Sequence, residues 1–328
     1  MTHGVVVMRV KFFLLGLFLS VADASNAFEK TTIRIGVQAF GTLEWELQVL
    51  KTDPILNNAE FDVQVTSLAN AEAGKIALQS GSVDMIVSDW IWVSSIRASA
   101  GDLTFYPYSN TSGALVVPKN SAIQSIADLK GKRLGIAGGE LDKNWLLLQA
   151  LSQKSSLNLN ESVEKTFAAP PLLNEQIKQD RLDAVLTYWH FAARLEAQGY
   201  RQILDGSQIL QGLDVKRNVP SLGYVFKQAW GQAHKVALNN FFKATKQAKS
   251  QICSQDAVWQ SIVPLTHVDD AQTLALLRQR YCQGGVDNWG NAEQQAADDI
   301  YQLLRSVSQN KLTGNAEHIH AGTFWVEN

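Results

Sequence analysis

Short apolar runs alternate with stretches of helical periodicity along most of the chain. Ile33–Val37, Phe61–Ser67, Val83–Ser88, Leu134–Ala137, Val163–Phe167 and Asp183–Thr187 read as strands. Ala71–Ser80, Leu146–Gln153 and Leu172–Gln179 read as helices between them. Strand–helix alternation of this kind predicts parallel sheets covered by helices. Past residue 229 the pattern changes. Ala229–Ile252, Gln255–Val263, Ala271–Tyr281 and Ala292–Val307 all have helix composition, and no further strand–helix pair follows.

The pattern also repeats. LQSGSVDMIVSDW (78–90) parallels IKQDRLDAVLTYW (177–189), an offset of 177 − 78 = 99. RIGV (34–37) parallels RLGI (133–136), again offset by 133 − 34 = 99. Shared strand–helix grammar makes any two junctions look alike, but it does not predict a shared offset or matched tryptophans. Two similar α/β units are therefore expected. In open sheets of this class the ligand crevice lies outside the carboxyl ends of the strands. Those ends are Ala39-Phe40-Gly41-Thr42, leading to Glu44 and Trp45, and Ser88-Asp89-Trp90 in the first unit. In the second they are Gly138-Gly139-Glu140 and Thr187-Tyr188-Trp189-His190. Residues 104–120 and 218–230 read as extended connections. The chain is expected to cross near residue 115 and return near 222, giving a first lobe of 28–114 plus 222–328 and a second of 115–221. The C-terminal helices are expected on the first lobe, and two crossovers make a hinge.

Composition adds limits rather than a function. The chain has 328 residues, 46% hydrophobic and 18% charged, with a formal net charge of −2. That balance gives no support for a nucleic-acid or anionic-membrane partner. Arg9 and Lys11 precede the ten-residue apolar run Phe12–Val21, and small residues follow, so residues 1–27 read as a secretory signal peptide. Cleavage fits after Ala24 or after Ala27. No cysteine follows the run, so a lipid anchor is not expected, and a periplasmic location is. Export exposes Cys253 and Cys282 to an oxidising compartment. One disulfide is the favoured reading and two separate buried thiols the alternative. The absence of a CxxC motif argues against zinc, and no cofactor is expected.

IRIGVQAFGTLEW, LQSGSVDMIVSDW and SGALVVPKNSAIQSIADLKGKRLGIAGG together resemble the periplasmic solute-binding proteins of ABC importers. The nearest branch is the one serving nitrate, sulfonates, taurine and thiamine precursors. The resemblance implies a two-lobed, type II periplasmic binding fold that closes on a solute. It implies a monomer that delivers the solute to a membrane permease driven by a cytoplasmic ATPase. Carried onto this sequence, the family's binding positions correspond to Phe40, Gly41, Thr42, Ser88, Asp89, Trp90, Asn110, Gly138, Gly139, Glu140, Tyr188 and Trp189, with Tyr224 on the return crossover. A periplasmic sensor of the same fold is the alternative. An enzyme is a third reading, in which Asp89, Glu140 and His190 would supply acid–base groups.

Each candidate has a plainer reading. Gly138 and Gly139 suit either a close ligand approach or an empty tight turn. Trp45 and Trp145 read as core, whereas the matched Trp90 and Trp189 read as facing the cleft. Asp84 and Asp183 read as turn or capping residues. His318 and His320 read as part of a mobile tail. Asp142 reads as a helix N-cap that takes the amides an anion would otherwise use. With Glu44, Asp89 and Glu140 also near strand ends, a simple inorganic anion is disfavoured. A zwitterionic, aromatic or cationic organic solute is expected instead.

Overall fold

The computed structural model describes residues 1–5, 30–39, 41–53 and 61–326. Most of the expected signal segment, and Phe40, lie outside the described residues. In chain order the strands are β1 (Thr31–Gln38), β2 (Phe61–Leu68), β3 (Met85–Ser88), β4 (Leu103–Ser109), β5 (Gly113–Val117), β6 (Arg133–Ala137), β7 (Glu164–Ala168), β8 (Ala184–Tyr188), β9 (Arg201–Asp205) and β10 (Leu222–Lys227). The first helices are α1 (Leu43–Thr52), α2 (Ala71–Ser80), α3 (Trp90–Ala98), α4 (Lys143–Lys154), α5 (Leu159–Ser162), α6 (Pro170–Lys178), α7 (Trp189–Ala197) and α8 (Gly206–Gly212). After β10 come α9 (Gln228–Ala233), α10 (Lys235–Ser254), α11 (Asp256–Thr266), α12 (Ala271–Gln283) and α13 (Asn291–Val307).

The strands form two five-stranded sheets, ordered β2-β1-β3-β10-β4 and β7-β6-β8-β5-β9. In the first, β1 runs parallel to β2 and β3, and β10 lies antiparallel between β3 and β4. The second repeats the plan, with β6 parallel to β7 and β8, and β5 antiparallel to β8 and β9. Each antiparallel strand adjoins a connection between the sheets. The chain leaves the first sheet at Ser109, enters the second at Gly113, and rejoins the first at Leu222. The Ser221 hydroxyl donates to Thr111 O at 2.5 Å, tying the two connections together.

The 99-residue repeat is visible atom by atom. Arg34 donates its backbone N–H, Nε and Nη2 to the Asp84 carboxylate, at 3.0, 2.9 and 2.5 Å. Arg133 does the same to Asp183, at 2.8, 3.1 and 2.6 Å. Asp84 and Asp183 are therefore clamps between neighbouring parallel strands, not the turn or capping residues that local sequence suggests. Gly36 and Gly135 repeat as well. A Cβ on Gly36 would meet Leu68 Cδ1 at 2.5 Å, and one on Gly135 would meet Leu182 Cδ1 at 2.6 Å. A bare strand backbone lets apolar side chains come down close onto each sheet.

Strand β9 went unread in sequence because its five residues are all half-buried and do not alternate. The C-terminal helices also depart from expectation. Helices α10 and α11 do pack on α1, beside the first sheet. Helix α12 packs on α10 and α11 but also along α7, and α13 lies along α4; α7 and α4 belong to the second lobe. Helix α4 carries the run Trp145–Leu148, all buried, and α13 offers Ala296, Ala297, Ile300, Tyr301 and Leu304. Two apolar faces on different lobes cover one another. A disulfide joins Cys253 of α10 to Cys282 of α12, 29 residues apart, worth about 3 kcal/mol on the chain-entropy account.

The tail is docked rather than mobile. His318 Nδ1 lies 2.7 Å from Asp298 Oδ2, and the His320 N–H donates to Ser94 Oγ at 2.9 Å. Further on, Phe105 N–H donates to Thr323 O at 2.8 Å and Trp325 N–H donates to Phe105 O at 2.9 Å, so the tail lines β4.

Candidate functional site

The carboxyl ends of β1, β3, β6 and β8 lead directly into α1, α3, α4 and α7. Side chains from the two lobes meet there, forming a seam. Trp189 of α7 packs edge-on to Trp45 of α1, with ring centroids 6.4 Å apart. Lys143 Nζ of α4 lies 3.6 Å from Asp89 Oδ2 at the head of α3, and it donates to Ser221 O at 3.1 Å. Farther along, Arg280 of α12 pairs with Glu196 of α7 at 2.6 Å.

The glycine turn after β6 answers to its own acid. The Asp142 carboxylate accepts from the N–H groups of Asn144 at 2.9 Å and Trp145 at 3.3 Å. Those amides are consequently spent. Burial raises the pKa of Asp142, against the pull of Lys143 and the amides. Gly138 has φ +88°, a left-handed conformation that explains the glycine without a ligand. Gly139 is different, since a Cβ there would meet no atom within 4 Å. Glu140 is exposed. The Tyr188 hydroxyl sits over this turn, and burial with the Asp142 charge pushes its pKa up to about 12.

The remaining expected residues divide. On the first lobe, the Gly41 N–H closes a turn onto Gln38 O at 2.9 Å. Thr42 heads α1 without a side-chain capping bond and turns its hydroxyl toward Tyr108. Ser88 is buried opposite Gly223 of β10. Asp89 caps α3 by accepting from the Trp92 N–H at 2.9 Å. Asn110 donates to Gly285 O at 2.5 Å, while its own carbonyl oxygen has no partner. Two residues expected in the cleft lie in the core. Trp90 is 3% exposed, against Phe324 with its indole N–H donating to Pro220 O at 3.1 Å. Tyr224 is 2% exposed and stacks on Phe242. Trp90 and Trp189 do not face one another.

A second set of residues escaped the sequence entirely. Glu46, in the first turn of α1, is fully buried and accepts from Tyr108 OH at 2.7 Å. The Tyr281 hydroxyl also faces this carboxylate, without meeting hydrogen-bond geometry. Lys249 Nζ lies 4.8 Å from the Tyr281 ring centre and 5.0 Å from that of Tyr108. Burial raises the Glu46 pKa, the Lys249 charge pulling it back, and burial lowers that of Lys249. Their mutual attraction partly offsets the loss of water. Tyr281 in turn touches Trp45 and Trp189. The cluster thus underlies the aromatic contact across the seam. Its members are drawn from α1, β4, α10 and α12, and no local motif links them.

His190 follows Trp189. Burial and the nearby Arg194 guanidinium lower its pKa to about 3, and its Nδ1 has no partner. The imidazole is therefore neutral at ordinary pH. A groove of about 510 Å³ beside the disulfide, lined by Trp259, Arg278 and others, lies away from the seam. Among the described residues no cluster of three or more His, Cys, Asp or Glu is arranged to hold a metal. None of the described helices is long and apolar enough to cross a membrane.

Comparison with known proteins agrees with this architecture. A candidate aliphatic sulfonates-binding protein of Escherichia coli strain K12 is 28% identical over 212 residues, 62% of this chain and 64% of its own length. The alignment thus spans just under two thirds of that relative. The crystal structure of the periplasmic aliphatic sulphonate-binding protein SsuA from Escherichia coli superposes with a TM-score of 0.71 at 18% identity, covering 90% of this chain and 92% of that one. A more distant structure, the desulfurization enzyme DSZB, has a TM-score of 0.53 at 16% identity, covering 87% and 92%. At such identities these two show a common fold alone, and that fold serves both binding and catalysis. The sequence profile described as NMT1/THI5 like matches residues 57–256, 200 of 328, and the chain belongs to that family.

Proposed function

We propose that this chain is the extracytoplasmic solute-binding component of an ABC importer, closing on a small organic solute. The observation that carries the reading is the seam, where strand ends from two sheets present aromatic rings and charged groups to each other. The lobes that would move are residues 28–114 with 222–328 and residues 115–221, joined by the two connections that Ser221 and Thr111 tie together. The solute is a sulfonate or taurine-like zwitterion, or an aromatic, heteroaromatic or cationic compound. Gly41, Thr42, Ser88, Asp89, Asn110, Gly138, Gly139, Glu140, Tyr188 and Trp189 border its site. Trp90 and Tyr224 support it from the core. Export by the signal segment, a periplasmic location without a lipid anchor, and partnership with a permease and its ATPase belong to the same reading. The helix N-terminus after the glycine turn is filled by Asp142, which disfavours bare nitrate or sulfate.

The test is a thermal-shift screen of the mature chain. It would include aliphatic and aromatic sulfonates, amino acids, pyrimidines, nitrate and sulfate. Preferential binding to the folded state raises the melting temperature, and movement of Trp189 alters tryptophan fluorescence. Failure of every class to stabilise the protein would sink the receptor reading. Turnover of a stabilising solute would instead favour an enzyme.

A further inference from the structure

Lys143 belongs to the second lobe, yet its ammonium reaches two other parts of the molecule. It lies 3.6 Å from Asp89 Oδ2 on the first lobe and donates at 3.1 Å to Ser221 O on the return connection. At 3.6 Å the contact with Asp89 is a charge pair beyond hydrogen-bond length. An ammonium has three donors, and the Ser221 bond uses one. The partner carboxylate is similarly divided, because Asp89 Oδ1 accepts from the Trp92 N–H at 2.9 Å while Oδ2 faces the lysine charge. Both side chains are about one-fifth exposed, at 22% and 20%. Water therefore screens the pair weakly and can reach it.

The surroundings restrict what can enter. Asp89 accepts from the Trp92 N–H of α3, and Asp142 accepts from the Asn144 and Trp145 N–H groups of α4, so each helix N-terminus already faces a carboxylate that disfavours an anion there. Lys143 brings a cation with open donors to this end of the seam. It does so beside two carboxylates, which repel a plain anion and attract a positive group.

We propose that Lys143 reads the acid group of the solute, and that the Asp89–Lys143 pair is the contact a solute displaces. The acid oxygens take the open donors of Lys143, and Asp89 Oδ2 accepts from an amino group on the same molecule. The ligand class is an organic acid, sulfonate or carboxylate, that carries an amine. This inference rests on the receptor reading above and assigns the residues that set its charge preference.

Calorimetric titration of the mature chain with four probes tests it. Taurine and β-alanine carry both charges, whereas ethanesulfonate and propionate carry only the acid. The wild type should bind at least one amino acid probe about tenfold or more tighter than its plain counterpart. Comparing taurine with β-alanine then tells sulfonate from carboxylate. Lys143→Met should weaken that probe about thirtyfold or more, and Lys143→Arg should retain it. Asp89→Asn keeps a residue able to cap α3, and should abolish or invert the preference over the plain acid. Equal wild-type affinity for charged pairs and plain acids would overturn the inference, as would Lys143→Met binding within threefold of wild type. If none of the four probes binds while the wider screen finds another solute, this inference falls and the receptor reading stands. If the wider screen is empty as well, both fall.

Discussion

Residues 88–92, Ser-Asp-Trp-Ile-Trp, and 187–191, Thr-Tyr-Trp-His-Phe, occupy the same strand-to-helix step in the two lobes. Their fates differ. In the first lobe Asp89 caps the helix, Trp90 is 3% exposed, and Ile91 is 1% exposed. In the second, Tyr188 makes no side-chain capping bond, Trp189 is half-buried and His190 stands where the other lobe has Ile91. The cause is outside both repeats. Phe324, from the docked tail, sits 6.3 Å from the Trp90 ring. The ring of Trp189 meets Trp45 and Tyr281 instead, which reach it from the first-lobe helix α1 and from α12. One backbone step thus serves as interior in one lobe and as contact surface in the other, according to what covers it.

The sharpest way to break that contrast is truncation of the two rings. Trp90→Ala should destabilise by about 3–5 kcal/mol, as for a core aromatic. Trp189→Ala should cost about 1–2 kcal/mol, in keeping with partial burial. Equal costs in urea unfolding would show that both rings are core. Acid sensitivity comes next. The His190 pKa is lowered to about 3, below the ordinary 6.5. Above 6.5 neither folded nor unfolded state carries the proton, so nothing is lost. Between 6.5 and 3 the unfolded state takes a proton that the folded state refuses, and stability falls by about 1.4 kcal/mol per pH unit. By pH 4 the loss should be about 3 kcal/mol. Installing the first-lobe residue, His190→Ile, should flatten stability across that window in pH-dependent melts.

A smaller effect separates the two arginine clamps. The Asp84 side chain is 8% exposed and that of Asp183 31%. Asp84→Ala should cost about 2–3 kcal/mol and Asp183→Ala about 1 kcal/mol. The reverse order in denaturant titration would contradict the burial difference. Arg133 holds the Asp183 carboxyl below its ordinary 3.8. Its contribution is therefore complete above that value and disappears as pH drops through the lower, folded pKa. Within the glycine turn the effects are smallest. Gly138→Ala, at φ +88°, should cost about 1–2 kcal/mol, whereas Gly139→Ala should stay within about 0.5 kcal/mol.

The repeat, six of the strands and the N-cap role of Asp142 were legible because each is local or periodic. Periodicity shows which residues share a face, and a helix cap lies within four residues of the amides it serves. The clamps were half legible. Arg34, Asp84, Arg133 and Asp183 all stood in the matched segments, but pairing across 50 residues needs strand adjacency. Glu46, Tyr108, Lys249 and Tyr281 gave no signal, since they come from four elements spread over most of the chain. That α12 and α13 also touch the second lobe was not legible for a related reason. Their apolar stripes reveal that they are covered, but not by which lobe.

The docked tail has a practical consequence. Strand β4 is an outer strand of its sheet, and residues 323–325 occupy its free side at Phe105. A chain shortened to His320 would bare those amide and carbonyl groups and uncover the Trp90 ring together. Unpaired strand borders recruit other chains, so such a truncation should oligomerise or precipitate where the longer chain stays dispersed.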